Sequence, residues 1–186
     1  GTTELDEGKI TILDAAFRGS SSTTSTGVHG LRTINIGAGV NIASIGKQAF
    51  TYQILLRNIN IDPTASIAVI GESAFENCLQ LTSFTVPATV TSIATKAFAG
   101  CESLTSIQFA TEGATELEIA DFAFMNCTRI ATITLPDHLG EFRSTAFEGC
   151  DSIKEIKVSA TNKHYINDEN GILYKKEENS TALTEL

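Results

Sequence analysis

Residues 78–109 read CLQLTSFTVPATVTSIATKAFAGCESLTSIQF, and they hold more than one copy of a repeated unit. Phe75, just ahead of this stretch, is followed at three, six, nine and eleven residues by Cys78, Leu81, Phe84 and Val86. Phe98 is followed at the same distances by Cys101, Leu104, Ile107 and Phe109. The dipeptide Ala-Phe extends this register over most of the chain. It ends at Phe17, Phe50, Phe75, Phe98, Phe124 and Phe147, with spacings of 33, 25, 23, 26 and 23 residues.

Each column of the register is chemically uniform. Three residues after Phe stand Cys78, Cys101, Cys127 and Cys150, all the cysteines of the protein, with Gln53 and Ser20 in the earlier copies. Leu56, Leu81, Leu104, Ile130 and Ile153 follow at six, and Ile59, Phe84, Ile107, Ile133 and Ile156 at nine. Five residues before Phe come Ile12, Ile45, Ile70, Ile93, Ile119 and Phe142. The first copy joins the register after an eight-residue insertion within 19–30, a Ser-, Thr- and Gly-rich stretch that reads as an exposed loop.

A period near 23 residues is that of a leucine-rich-repeat solenoid. One copy cannot bury its own apolar face, so copies stack, each strand about 4.8 Å from the next in a parallel sheet. The expected class is α/β leaning to mostly β: about six repeats, residues 1–160, with a short parallel sheet made by the L-x-x-I-x-V strands. The segment carrying Ile and Ala-Phe is expected to close the opposite wall. Two residues after Phe stand Gly19, Tyr52, Asn77, Gly100, Asn126 and Gly149. Gly and Asn tolerate positive φ, so a left-handed turn ending a short helical piece is expected there, with Tyr52 as the exception. Nine of the ten Phe fall on core columns; Phe122 does not. In residues 161–186, Asn170-Gly171 is placed to turn a strand containing Tyr165 and Ile166 onto one containing Ile172 to Tyr174, forming a hairpin or capping segment.

These motifs resemble the BspA-like leucine-rich repeats of the treponemal and Bacteroides type, over about residues 10–158. The tail NKHYINDENGILYKKEENSTALTEL is similar to a segment that often follows such repeats. The resemblance implies a secreted or surface-anchored bacterial protein, often an adhesin that binds host or bacterial surface proteins. No signal sequence is visible in a chain that begins Gly-Thr-Thr without Met.

Composition narrows the function. Thirteen basic against 22 acidic residues give a net charge of −9 with no basic run, which argues against nucleic acid. No apolar run approaches the roughly 20 residues of a membrane span. The four cysteines lie on successive rungs, the outer two about 15 Å apart, so one tetrahedral ion cannot collect them. They read as a column of buried free thiols, with a disulfide between neighbouring rungs as the alternative. His138 lies beside Asp137 with Glu141 near, which reads as a solvated turn or a surface acid–base or metal pair; His29 and His164 are far from it in register. The turn sequence INDENG, 166–171, reads as a hairpin rather than a calcium loop. No nucleophile elbow, phosphate loop or zinc-protease motif is present, so no enzyme, metal or cofactor is expected.

A binding surface would lie on the outward strand positions, which in a solenoid form one continuous concave face. The candidates are Arg32, Arg57, Asn60, Thr82, Thr85, Thr105, Gln108, Thr132, Thr134 and Lys157. The centre of this face is rich in Thr, almost uncharged and without aromatics, and its ends are basic. Protein binding by a monomer is the leading expectation. A passive spacer that presents another domain, or a carbohydrate-binding module, are the alternatives.

Overall fold

In the computed structural model, the described residues are 9–20, 30–111, 113, 115–159, 161–169, 171–176 and, for backbone only, 183–185. They form a parallel β-solenoid with one short 3₁₀ turn over Ser144–Phe147 and no longer helix among them. Each copy supplies two strands rather than one. The walls differ from expectation in which is continuous.

The Ile column five residues before Phe builds the continuous wall. Strands β1 (Lys9–Ile12), β3 (Asn41–Ile45), β5 (Ser66–Ile70), β7 (Ser92–Ile93), β9 (Leu117–Ile119) and β11 (Leu139–Phe142) form one six-stranded parallel sheet in that order. Its register sets Ile45 opposite Ile12 and Ile70, and Ile93 opposite Ile70 and Ile119. The L-x-x-I-x-V wall forms three separate parallel pairs. These are β2 (Thr33–Ile36) with β4 (Asn58–Ile61), β6 (Ser83–Val86) with β8 (Ser106–Phe109), and β10 (Thr132–Leu135) with β12 (Glu155–Val158). In β6 and β10 the apolar residues alternate inward and the polar ones outward, as period-two patterning requires.

Between the walls runs the Ala-Phe segment, which is a string of tight turns rather than a helix. Alternate amides bond within the rung and to the next rung. Ala74, Glu76 and Cys78 donate to the carbonyls of Gly71, Ser73 and Phe75 in their own rung, while Ser73, Phe75 and Asn77 donate to Thr95, Ala97 and Ala99 of the next. No buried amide of this segment is left over, which allows irregular backbone to sit in the interior. The pattern needs two left-handed residues per rung. The residue two after Phe is one of them, with φ of 58° at Asn77, 70° at Gly100, 58° at Asn126 and 71° at Gly149. Tyr52, expected to break this pattern, adopts φ 60° as well. Gly19 is the member without positive φ; it is Gly because a Cβ there would collide with the Tyr52 carbonyl. The second left-handed residue lies two before Phe and was not expected: Ala15, Gln48, Ser73, Lys96 and Phe122, at φ 52–59°. Phe122, the aromatic outside the core columns, is therefore a turn residue.

Two columns fill the interior. The six Ala-Phe rings stack face to face with centroid spacings of 5.1–5.3 Å and interplanar angles of 2–13°. Phe50, Phe75, Phe98 and Phe124 are buried, but Phe17 at the N-terminal end is 49% exposed, so it is not a core residue among the described atoms. Beside the rings runs the thiol column. All four cysteines are buried and unpaired. Each thiol donates to the Phe carbonyl one rung back: Cys78 to Phe50, Cys101 to Phe75, Cys127 to Phe98 and Cys150 to Phe124, at 3.0–3.3 Å. Gln53 holds the same column position and donates its Nε2 proton to the Phe17 carbonyl, while its Oε1 accepts from the Leu31 amide at 2.8 Å. Burial pushes the Cys78 thiol up to about 12 and Cys101 well above the usual range. The hydrogen bond between the last two thiols raises Cys127 and lowers Cys150.

At the C-terminal end, β13 (Tyr165–Asn167), β14 (Leu173–Lys176) and β15 (Leu183–Glu185) form an antiparallel sheet. The hairpin of β13 and β14 is as expected, with Ile166 opposite Tyr174 and Gly171 at φ 83° in the turn; Asn170 lies outside the described residues. The third strand was not anticipated. Tyr165 is fully buried, sets its ring edge-on to Phe142 at 6.3 Å and accepts the Phe142 amide proton at 2.9 Å. Buried Asn162 donates its side-chain amide to the Pro136 carbonyl at 2.9 Å. The tail is thus packed on the last rung of the continuous sheet.

The two columns give distinct predictions. Phe98→Ala is expected to cost about 3–5 kcal/mol in urea unfolding, and the half-exposed Phe17→Ala about 1 kcal/mol. Cys101→Ala removes one donor from a buried carbonyl and is expected to cost about 1–3 kcal/mol. Under native conditions at pH 8, mass-spectrometric mapping of iodoacetamide adducts should find Cys150 alkylated first and Cys78 and Cys101 protected until denaturant is added.

Candidate binding face

Every one of the ten predicted face residues is exposed. The strand registers bring several side by side: Asn60 lies opposite Asn35, Thr85 opposite Gln108, and Thr134 opposite Lys157. Their hydrogen bonding divides them into two groups. Asn60 donates to the Asn35 side-chain oxygen at 2.8 Å, and Arg57 Nε to Gln80 Oε1 at 2.8 Å. Thr82 and Thr105 donate to the Arg57 and Thr82 carbonyls at 3.5 and 3.1 Å, continuing the rung spacing along the surface. Lys157 pairs with Glu155 at 3.3 Å, so part of the basic C-terminal end is neutralised within its own strand. In contrast, the side chains of Thr85, Gln108, Thr132 and Thr134 have no hydrogen-bond partner among the described residues.

These four lie where the wall is interrupted. The ladder of backbone bonds is missing between β4 and β6 and again between β8 and β10. Each interruption opens a groove of about 640 Å³. The first runs over Ile61, Asp62 and Pro63 beside Thr85, and the second over Phe109 and Leu135 beside Gln108, Thr132 and Thr134. The expected continuous face is therefore three strand pairs separated by two apolar grooves. Nothing in the outward residues signals this, because their alternation is unbroken.

A second depression, of about 310 Å³, lies where the insertion at 111–116 meets the tail. Here the structure brings together two histidines that are far apart in register. His164 Nε2 is 3.1 Å from Glu116 Oε1, and His138 lines the same cavity with Asp137. The sequence gave no sign of this meeting, because it depends on how the tail folds back. The expected pairing of His138 with Glu141 is not made: Glu141 bonds Arg143 at 3.1 Å and lines a different depression. Asp137 instead accepts from the Thr161 hydroxyl at 2.7 Å, which, with Ser159, holds its carboxyl below the usual range. Nor is His138 in a solvated turn. Its Nδ1 is buried without a hydrogen-bond partner among the described residues, and a Cβ at Gly113 would meet its ring at 2.6 Å. Burial holds His138 below the ordinary histidine range, opposed by the Asp137 charge. His29 lies outside the described residues. Among those described, no three His, Cys, Asp or Glu side chains are grouped so as to hold a metal ion, and no helix is long and apolar enough to cross a membrane.

A parallel solenoid with an Ile wall, a Phe stack and short L-x-x-I-x-V strands is a leucine-rich-repeat architecture. The profile of the BspA type leucine-rich-repeat region, in six copies, matches residues 29–117 and 113–170. The chain belongs to the BspA-type leucine-rich-repeat family. Comparison with curated proteins gives no significant match. Among solved structures, the pneumococcal vaccine antigen PcpA superimposes with a TM-score of 0.73 at 21% identity, over 89% of this chain and 40% of that one. A leucine-rich-repeat protein of T. pallidum gives 0.65 at 23% identity, over 84% and 66%. A leucine-rich cell-surface protein of Faecalibacterium prausnitzii gives 0.55 at 22%, over 92% and 52%. The chain thus spans less than half the length of the pneumococcal antigen.

The buried His138 has a measurable consequence. Its pKa is lowered by folding, so below about pH 6.5 the unfolded chain binds a proton that the folded chain resists, and stability falls as the solution is acidified. Thermal melting from pH 7.5 to 5 should show a smaller drop for His138→Gln than for the natural protein.

Proposed function

We propose that this chain is a non-enzymatic, monomeric protein-binding module of a bacterial cell surface, an adhesion element that engages host or bacterial surface proteins through its L-x-x-I-x-V face. The observation that carries this reading is the set of four outward side chains, Thr85, Gln108, Thr132 and Thr134, whose hydrogen-bonding groups are unspent and flank two apolar grooves. Polar donors around an apolar floor are what a protein interface requires at its centre and rim. Family membership supports an interaction role, and the similar structures include a cell-surface protein and a vaccine antigen. Residues 161–186 act as the cap that closes the C-terminal end of the solenoid, so that partners meet the face and not the open edge.

A sugar-binding role is less well supported, because the outward positions of this face carry no aromatic ring on which a pyranose would stack. A passive spacer would leave no reason for unspent donors around apolar grooves.

The test is binding of the purified protein to immobilised panels of extracellular-matrix proteins and of surface proteins from co-resident bacteria. Replacing Thr85, Thr105 and Thr132 together by Lys is expected to weaken binding to any protein captured at least tenfold, with an unchanged melting temperature. Unchanged binding by the triple variant contradicts the use of this face.

A further inference from the structure

The two grooves are the same feature built twice. Counted from the Phe of each rung, Asn60 and Gln108 hold one position, as do Ile61 and Phe109, Thr85 and Thr134, and Ala110 and Ser159. They lie two rungs apart, because each occupies one of the two breaks in the strand wall. With rungs about 4.8 Å apart, the groove centres are separated by about 9.6 Å along the solenoid axis.

That distance selects a backbone. In a β-strand, side chains on one face recur every two residues, at about 6.8 Å and then 13.6 Å, and neither matches. A polyproline II helix has three residues per turn and a rise of about 3.1 Å, so residues i and i+3 lie on one side at about 9.3 Å. Such a segment has no internal hydrogen bonds, so its carbonyls are available to the unspent Thr and Gln donors between the grooves. Each groove also carries one carboxylate at its edge, Asp62 in the first and Asp137 in the second. Asp62 accepts from the Thr64 amide and hydroxyl at 2.8 and 2.6 Å, which orders it as an anion. Resting on the protein-binding reading of this face, we infer that its ligand is a cationic polyproline II segment that lies across the rungs, with apolar side chains three residues apart in the two grooves and Lys or Arg beside them.

The inference is tested with fluorescent proline-rich peptides carrying one Arg at each end and two Leu spaced by two, three or four residues. Anisotropy titration is expected to give at least tenfold tighter binding for the spacing of three. Replacing Ala88 by Trp fills the first groove, and replacing Ser159 by Trp fills the second; each, checked for an unchanged circular-dichroism spectrum and melting temperature, is expected to weaken that peptide at least tenfold. Should one variant misfold, the other and the spacing series still decide. Equal binding at all spacings, or no binding at any, overturns the inference. If the groove-filled variants keep full affinity for a surface protein that the triple Lys variant loses, the face is used but not through a polyproline segment, and only the present inference fails.

Discussion

The carbonyl oxygen of each column Phe is the point on which the rest of the structure depends. It accepts two protons, one from the amide three residues on in its own rung and one from the thiol or amide side chain of the next. At Phe75 these come from the Cys78 amide and the Cys101 thiol, both at 3.2 Å. A carbonyl with two lone pairs, buried between rungs, is costly if left unpaired, and a small donor that also packs as an apolar group answers both needs. Cys is such a residue. The rings stacked at 5.1–5.3 Å are slightly wider apart than the usual strand spacing of about 4.8 Å, so the aromatic column and the strand ladder cooperate in setting one rise per rung.

Much of this was legible in the sequence because each column repeats one residue type. Ala-Phe-x-x-Cys fixed the register, and the uniform Ile column marked an inner wall. The role of the thiols as donors was not legible, since a buried free Cys and a hydrogen-bonded one look alike in sequence; only Gln53 in the same column hints at it. The second left-handed residue was hidden for a different reason. Gln48, Ser73, Lys96 and Phe122 have no shared preference for positive φ. The backbone there is imposed by the alternating bonds to the neighbouring rung, which offset a local penalty of about 1–2 kcal/mol at each such residue. Tyr52 obeys the same constraint, which is why its side-chain type misleads.

The candidate site was legible in its members and not in its form. The alternation of strand residues placed all ten face positions outward. It could not show that the wall is three pairs, because the breaks lie in inter-rung hydrogen bonds and in repeat lengths that vary between 23 and 26 residues across these rungs. The continuous sheet on the opposite wall carries the mechanical continuity of the solenoid, which leaves the L-x-x-I-x-V wall free to open. Function is thereby assigned to the less regular of two surfaces, supported by the more regular one. The cavity shared by His138 and His164 was invisible for a third reason: it forms only where the tail, anchored by Tyr165 and Asn162, returns over the insertion near residue 113.

Residue-resolved amide hydrogen exchange tests the central claim most directly. If the Phe column is the organising element and the strand wall is broken, the Phe75, Phe98 and Phe124 amides, bonded to the next rung, should be among the slowest to exchange. Amides along the β4–β6 and β8–β10 breaks should exchange much faster than those within the three pairs. Uniform protection across the strand wall, or Phe-column amides exchanging as fast as surface turns, would contradict it.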